Sequence, residues 1–477
     1  MTRDVVIQIV ARVLNLALGI VVTSLVVRTL GQAGFGEWST LLVVINLTAY
    51  FTSFGVESVA VRQVAVEPEH ESDWIGALLM VRLVLSVPAF IIGLIVVLVA
   101  QNSTAMLAAG LILLMQVPFN TVSSLRVVYQ SRVRNDLPMY FLTLNSVLWG
   151  AAVVVIYFAD GGLVPLAIAM TATGLLTVLW QAAIALRFVK PHLPPTRAAM
   201  KELIRIGVPV GTAGLLIIIY ARIDQLLVYG IAGASDAGLY GSVYRIIEQA
   251  HFVPISLMTT AAPILAASWG RDRAHMLGLS RLIAELLTVA SLGGLAVTIV
   301  AAEPLTVFLF GESFKDAAPA LPVLSAAFVF ICYGYLNSNL LLVIGLQKRL
   351  IITGLIALVV NIGGNLIFIP IYGFMAAAWL TLITELVVVL AATYFVRHAL
   401  HLGWPRPGRI PRIVVAAVVL GLALWGLDSV GVPLAGLLGV ALVAYPALLF
   451  ALRAVDIQET RALLRGGAVA PPPPAGA

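Results

Sequence analysis

The chain predicts an all-α polytopic membrane protein, and three observations carry that reading. Of 477 residues, 61% are hydrophobic and only 10% are charged, against about 25% charged in soluble domains. The apolar residues come in long unbroken runs, not in the alternating segments of about 10 residues that mark a membrane β-barrel. The basic residues gather between alternate runs.

Along the chain, about fourteen runs approach the ~20 apolar residues needed to cross hydrocarbon. The first six fall at roughly 4–28, 39–61, 75–100, 105–126, 138–159 and 163–187. The next six fall at roughly 207–230, 238–264, 279–302, 319–344, 350–369 and 374–396, and two more at 411–428 and 432–453. No small-residue cleavage site follows the first run, so it reads as a retained span and not a signal peptide. Pro191, Pro194 and Pro195, followed by a short basic amphipathic stretch, mark a linker. The predicted organisation is a six-helix lobe over 1–190, a cytoplasmic linker over 191–206 and a second six-helix lobe over 207–400. Two additional helices occupy 401–455. The segment 456–477, with Pro471 to Pro474, has no material for a core and predicts a disordered cytoplasmic tail.

Charge fixes the orientation. Of 28 lysines and arginines, 22 fall in one set of alternating loops and the termini, and only Arg28 and Lys315 fall in the opposite loops. Basic residues are retained on the cytoplasmic side, so both termini are expected there. The net charge of +6 is thus a topology signal, with membrane lipids as the surroundings and no nucleic acid partner implied. The single cysteine, Cys332, excludes an internal disulfide and a cysteine-based metal cluster. Its apolar context predicts a packed small hydrophobe.

An internal repeat is also visible. Gly31-Gln-Ala-Gly-Phe-Gly36-Glu-Trp38 follows the first run, and Gly233-Ala-Ser-Asp-Ala-Gly238-Leu-Tyr240 follows the seventh, matching at a constant offset of 202. Glycines and aromatics are common at membrane interfaces; one offset at equivalent positions favours duplication. An even number of helices per half predicts two lobes, helices 1–6 and 7–12, related by a pseudo-two-fold along the membrane normal. Transporters whose halves rock about a central site are built this way.

The same residues carry a family resemblance. Arg28-Thr-Leu-Gly-Gln-Ala-Gly-Phe-Gly-Glu-Trp38 resembles the segment that follows helix 1 in polysaccharide (O-antigen-type) flippases. So do Arg222-Ile-Asp224 with Gly238-Leu-Tyr240, Leu309-Phe-Gly311 through Leu324, and Ile344 to Lys348 leading to Asn361 and Tyr372-Gly373. The order and spacing of these segments over roughly residues 1–400 make the resemblance. It implies translocation of a polyprenyl-diphosphate-linked oligosaccharide across the bacterial cytoplasmic membrane by alternating access, for surface polysaccharide export. A glycan polymerase or glycosyltransferases would be its partners. The wider superfamily also holds lipid II flippases and multidrug/cation antiporters; the antiporters typically stop at twelve helices.

Four arginines, Arg12, Arg82, Arg222 and Arg245, lie inside the apolar runs. Each costs roughly 2.5–3.5 kcal/mol at membrane depth, so such residues face a cavity or a partner and mark the path of something charged. A guanidinium suits phosphate oxygens, and these four, with Asn15 on the face of Arg12, are the candidate substrate-binding residues. Snorkelling to the interface is the alternative for Arg12 and Arg82. Arg222 lies deeper. Arg245 has Glu248 three residues on, so the two can neutralise each other. Asp224, Glu248 and Glu385 are the candidate ion-coupling carboxylates, for a proton or Na+ gradient, with structural pairing as the alternative. Glu57, Glu285 and His251 read as less informative. Asn120, Asn145, Asn337, Asn339, Asn361 and Asn365 suit hydrogen bonds between helices or a cavity wall.

No cofactor or metal motif is present, nor a P-loop, a His-Glu-x-x-His zinc motif or a nucleophile elbow. The chain therefore reads as a transporter and not an enzyme. A lipid II flippase shares the physics and differs in head group. A multidrug/cation antiporter predicts a net acidic cavity, and a glycan polymerase or ligase a larger acidic external loop.

Overall fold

A computed structural model describes residues 2–132, 136–400 and 408–455. The side chains of 2–14, 16, 133–139 and 213 are outside that description, as is the whole predicted tail, 456–477. Among the described residues every regular element is helical. Thirteen stretches are long and apolar enough to cross a membrane. The first of them holds two helices joined at Gly31, which recovers the fourteen spans expected.

They are α1 (2–30), α2 (32–66, broken at Phe54–Gly55), α3 (Glu71–Ala100), α4 (Thr104–Ser131), α5 (Asp136–Phe158) and α6 (Leu163–Ala185). After the linker come α7 (Arg197–Ala232), α8 (Ala234–Trp269), α9 (Arg273–Phe310), α10 (Ala320–Val343), α11 (Gln347–Tyr372) and α12 (Phe374–Leu400). The last two are α13 (Ile410–Ser429) and α14 (Leu434–Ala451).

Several helices overshoot the apolar runs. The 36 residues of α7 extend about 54 Å at 1.5 Å per residue, beyond a hydrocarbon core about 30 Å thick. The basic stretch after Pro195 is therefore not a separate element but the first turns of α7. Thr196 caps it by accepting from the Ala199 N–H. The Thr196 N–H also donates to Asp73 at 2.8 Å, and the His192 N–H to the Ser72 carbonyl at 2.9 Å, so the start of α7 is tied to the start of α3.

Prolines account for three kinks. A proline lacks the N–H that would bond the carbonyl four residues back, and its ring crowds that carbonyl. Pro118 follows the break at Leu114–Met115 in α4, and Pro254 the break at Ala250–His251 in α8. Pro304 follows the non-helical Ala301 in α9.

Packing separates two compact units, Met1–Ser242 with Ile369–Phe374, and Val243–Phe368 with Met375–Ala477. In the first, Val56, Ala60, Ile75, Leu78, Val127 and Leu203 form a core that joins α2, α3, α4 and α7. In the second, α13 and α14 pack on α9 through Ala296, Leu420, Leu424 and Leu437. A Cβ on Gly293 would meet the Tyr445 ring at 2.5 Å, and the Tyr445 hydroxyl donates to the Val289 carbonyl at 2.9 Å.

The repeat has a structural counterpart inside the first unit. Gly31 (φ 65°, ψ −173°) and Gly233 (φ 93°, ψ 178°) share a backbone conformation that is essentially reserved for glycine. Five residues on, the repeats meet. A Cβ on Gly36 would stand 1.8 Å from the Ala234 carbonyl oxygen, and one on Gly238 would stand 1.9 Å from that of Gln32. Ala234 is Gln32 shifted by the same 202 residues. The contact is reciprocal, as a two-fold interface requires. Trp38 and Tyr240, at matching positions, are both buried.

Replacing Gly36 or Gly238 with alanine is expected to cost about 1–3 kcal/mol by overpacking backbone against backbone. Thermal unfolding of the purified protein in detergent reads this, and the double variant should lose less than the sum because the two glycines pack at the same junction. Gly230→Ala, where an added Cβ meets nothing within 4 Å, should leave the midpoint unchanged.

Candidate functional site

A buried charged cluster lies among α2, α3 and α4. Arg82 sits eleven residues into α3, about 16 Å from its start, and is only 3% exposed. Glu57 opens the segment of α2 that resumes after Gly55. Arg126 ends the 3₁₀ turn Ser123–Arg126 of α4. One Arg82 terminal nitrogen donates to Glu57 at 3.2 Å and to the Ser124 hydroxyl at 2.9 Å. Arg126 grips the same carboxylate through both Nε and a terminal nitrogen, the latter at 2.8 Å. Two guanidinium groups thus share one carboxylate, leaving a net charge of one. The Arg82 Nε is buried without a hydrogen-bond partner, and the Arg126 side chain is about half exposed.

The other candidates are distributed. The helix carrying Arg12 is described, but its side chain lies outside the described residues. Asn15 donates to the Thr143 hydroxyl of α5 at 3.2 Å. Arg222 is half-buried in α7, ten residues from the end of that helix. Asp224 is 5% exposed and accepts from the Tyr240 hydroxyl at 3.3 Å. Its neighbour Gln225 donates to Ser39 and to the Ala237 carbonyl. In the second unit, Arg245 donates to Glu248 at 2.8 Å with both side chains largely buried, so the pair suggested by their spacing forms. Glu385 is buried on α12, and a Cβ on Gly334 would lie 4.0 Å from its carboxylate.

Two further polar contacts join helices: Asn337 donates to Thr393 at 2.9 Å and Thr177 to Asn145 at 3.3 Å. Asn365 donates to Asn361 at 3.1 Å within α11. Asn339 bonds the Tyr335 carbonyl within its own helix. His251 stacks on Phe328 with its edge to Tyr335. Cys332 is fully buried. Among the described residues no three His, Cys, Asp or Glu side chains group to hold a metal.

Sequence reasoning passed over Glu57 and Arg126. Glu57 looked like a helix-end residue and Arg126 like one of the loop arginines. The cluster sets Arg126 sixty-nine residues from Glu57 in sequence, so no local pattern announces it. Glu285 is its counterpart in the second unit. It is 6% exposed, accepts from Arg281 at 3.2 Å and lies 3.6 Å from the Arg409 guanidinium.

Among the described residues, thirteen helical stretches able to cross a membrane, grouped in two compact units, define a multi-pass membrane protein. Among solved structures, the lipid II flippase MurJ in an inward closed conformation superposes with a TM-score of 0.77 at 12% identity, covering 96% of this chain and 100% of that one. An inward-facing multidrug resistance MATE family transporter of the MOP superfamily gives 0.65 at 16%, covering 81% and 94%. An outward-facing MATE structure gives 0.58 at 20%, covering 82% and 95%. No curated protein matches in sequence. The family described as polysaccharide biosynthesis protein matches residues 1–269, and the chain belongs to it.

Removing the Glu57 charge leaves Arg82 ionised, buried and uncompensated. Glu57→Gln is expected to destabilise the protein by about 3–5 kcal/mol, read as a lowered unfolding midpoint. Glu57→Leu combined with Arg82→Leu should recover most of that loss, since an apolar pair can replace a buried ion pair.

Proposed function

We propose that the protein is a flippase that moves a polyprenyl-diphosphate-linked oligosaccharide across the bacterial cytoplasmic membrane for surface polysaccharide export. The observation that carries this reading is fixed positive charge within the spans of a polysaccharide biosynthesis family member. The Arg82–Glu57–Arg126 cluster keeps a net positive charge. A diphosphate is the hard part of the cargo to bring into a low-dielectric interior, and arginine forks neutralise it with charge-assisted hydrogen bonds.

In this reading both termini are cytoplasmic. Arg12, Asn15 and Arg82 receive the head group in the half near the termini, and Arg222 and Arg245 hold it further along. The two six-helix lobes alternate access while the polyprenyl tail stays in lipid. Arg245 is held by Glu248, so protonating Glu248 frees a guanidinium for phosphate. Asp224 and Glu385 are the other carboxylates suited to coupling with a proton or Na+ gradient. The protein acts without catalysis, alongside glycosyltransferases and a glycan polymerase. A second reading, a lipid II flippase, draws support from the full-length superposition on MurJ and differs in the sugar recognised.

Cells deleted for the gene and complemented with Arg222→Ala or Arg12→Ala should accumulate lipid-linked repeat units on the cytoplasmic leaflet. Export should fall about tenfold or more, as expected for losing one charge-assisted contact. Normal surface glycan with both variants stably expressed would remove the arginine mechanism. Exported but unpolymerised units after deletion would point to a polymerase. Loss of peptidoglycan precursor export with surface glycan intact would select the second reading.

A further inference from the structure

We infer that the first unit carries a site for one anionic phospholipid, built by an apolar furrow along α2, α3 and α7 and a basic stripe at its end. The furrow has two chambers, of about 250 and 260 Å³, and Phe51 lines both. Phe54, Val81, Val84, Met200, Ile204 and Val208 line the first. Along α3 the wall runs from Met80 to Val96, about 24 Å at helical rise.

At one edge of the furrow α7 lies close against α2. A Cβ on Gly211 would meet the Phe54 carbonyl oxygen at 2.4 Å, and one on Gly207 would meet Val56 at 2.7 Å. This small-residue face, Gly207-xxx-Gly211, seats α7 against the break in α2. The larger residues beside it then stand as one wall, with α3 as the other. Val84, Ile92, Ile204 and Val208 on those walls are exposed. Thr48 is the one polar residue among those that line it.

Charge selects the occupant. Met200, Ile204 and Val208 recur every four residues on α7, and Arg197, Lys201 and Arg205 recur at the same interval on the neighbouring, exposed stripe. Arg205 also pairs with Glu202 at 2.7 Å, which leaves the stripe net positive. The hydrogen bonds from Thr196 to Asp73 and from His192 to Ser72 hold this stripe at the start of α3, beside the first chamber. An acyl chain fits the furrow while the phosphate head meets the basic stripe, the arrangement by which basic residues at a helix end recruit anionic lipid.

The test uses the full-length protein in mild detergent with equimolar phosphatidylglycerol and phosphatidylcholine, and native mass spectrometry counts the retained lipids. The wild type should prefer phosphatidylglycerol, by about fivefold for each basic residue engaged. Arg197→Gln, Lys201→Gln and Arg205→Gln together, all on an exposed face, should abolish the preference. Val208→Trp, which fills the first chamber with the charges intact, should reduce retention of both lipids. A preference unchanged in the triple variant, or retention unchanged in Val208→Trp, would overturn the proposal. So would displacement of phosphatidylglycerol by equimolar polyprenyl phosphate, which would assign the furrow to the carrier lipid. Glycan export enters none of these readouts, so the result stands apart from the proposed transport function.

Discussion

Hydrocarbon gives a polar group nothing to bond to, and this constraint organises the chain from backbone to side chain. Backbone N–H and C=O groups must pair within a segment, so every span is a helix. Where a proline removes a donor, at Pro118, Pro254 and Pro304, the helix yields within three or four residues upstream. Side chains obey the same rule. Arg82 is almost fully buried with Glu57 and Ser124 around it, and Arg245 is paired within its own helix.

A second theme follows from the weakness of hydrophobic attraction between helices in lipid. Association there rests on close packing, and small residues allow it. The duplicated junction uses Gly36 and Gly238 to bring two turns into backbone contact, and α7 uses Gly207 and Gly211 to lie on the break in α2. These contacts place α7, with the first part of α8, inside the unit formed by the first six helices. Helix packing thus crosses the boundary that the chain's duplication would draw.

The charges divide by what they can still bind. The guanidinium of Arg245 is held by Glu248, and the carboxylate of Glu57 is shared by two arginines. A carboxylate already in place beside each of these guanidinium groups lowers the cost of keeping arginines inside the membrane.

The spans and their number were legible in the sequence, as was the placing of Arg82, Arg222 and Arg245 within them, because hydropathy and charge asymmetry are sums over neighbouring residues. The pairing of Arg245 with Glu248 was legible for the same reason, as residues three apart share a helical face. The repeat was legible in its glycines, whose backbone conformation has to recur wherever the turn does. The role of Glu57 was not, nor that of Arg126. Their bond joins two helices far apart in sequence, and only the packing of α2, α3 and α4 brings the groups together. The furrow is of the same kind, since its walls belong to separate helices. Composition and period determined that this chain crosses the membrane about fourteen times with arginines inside. Tertiary structure alone decided which charges neutralise one another, because that depends on distances between helices and not on order along the chain.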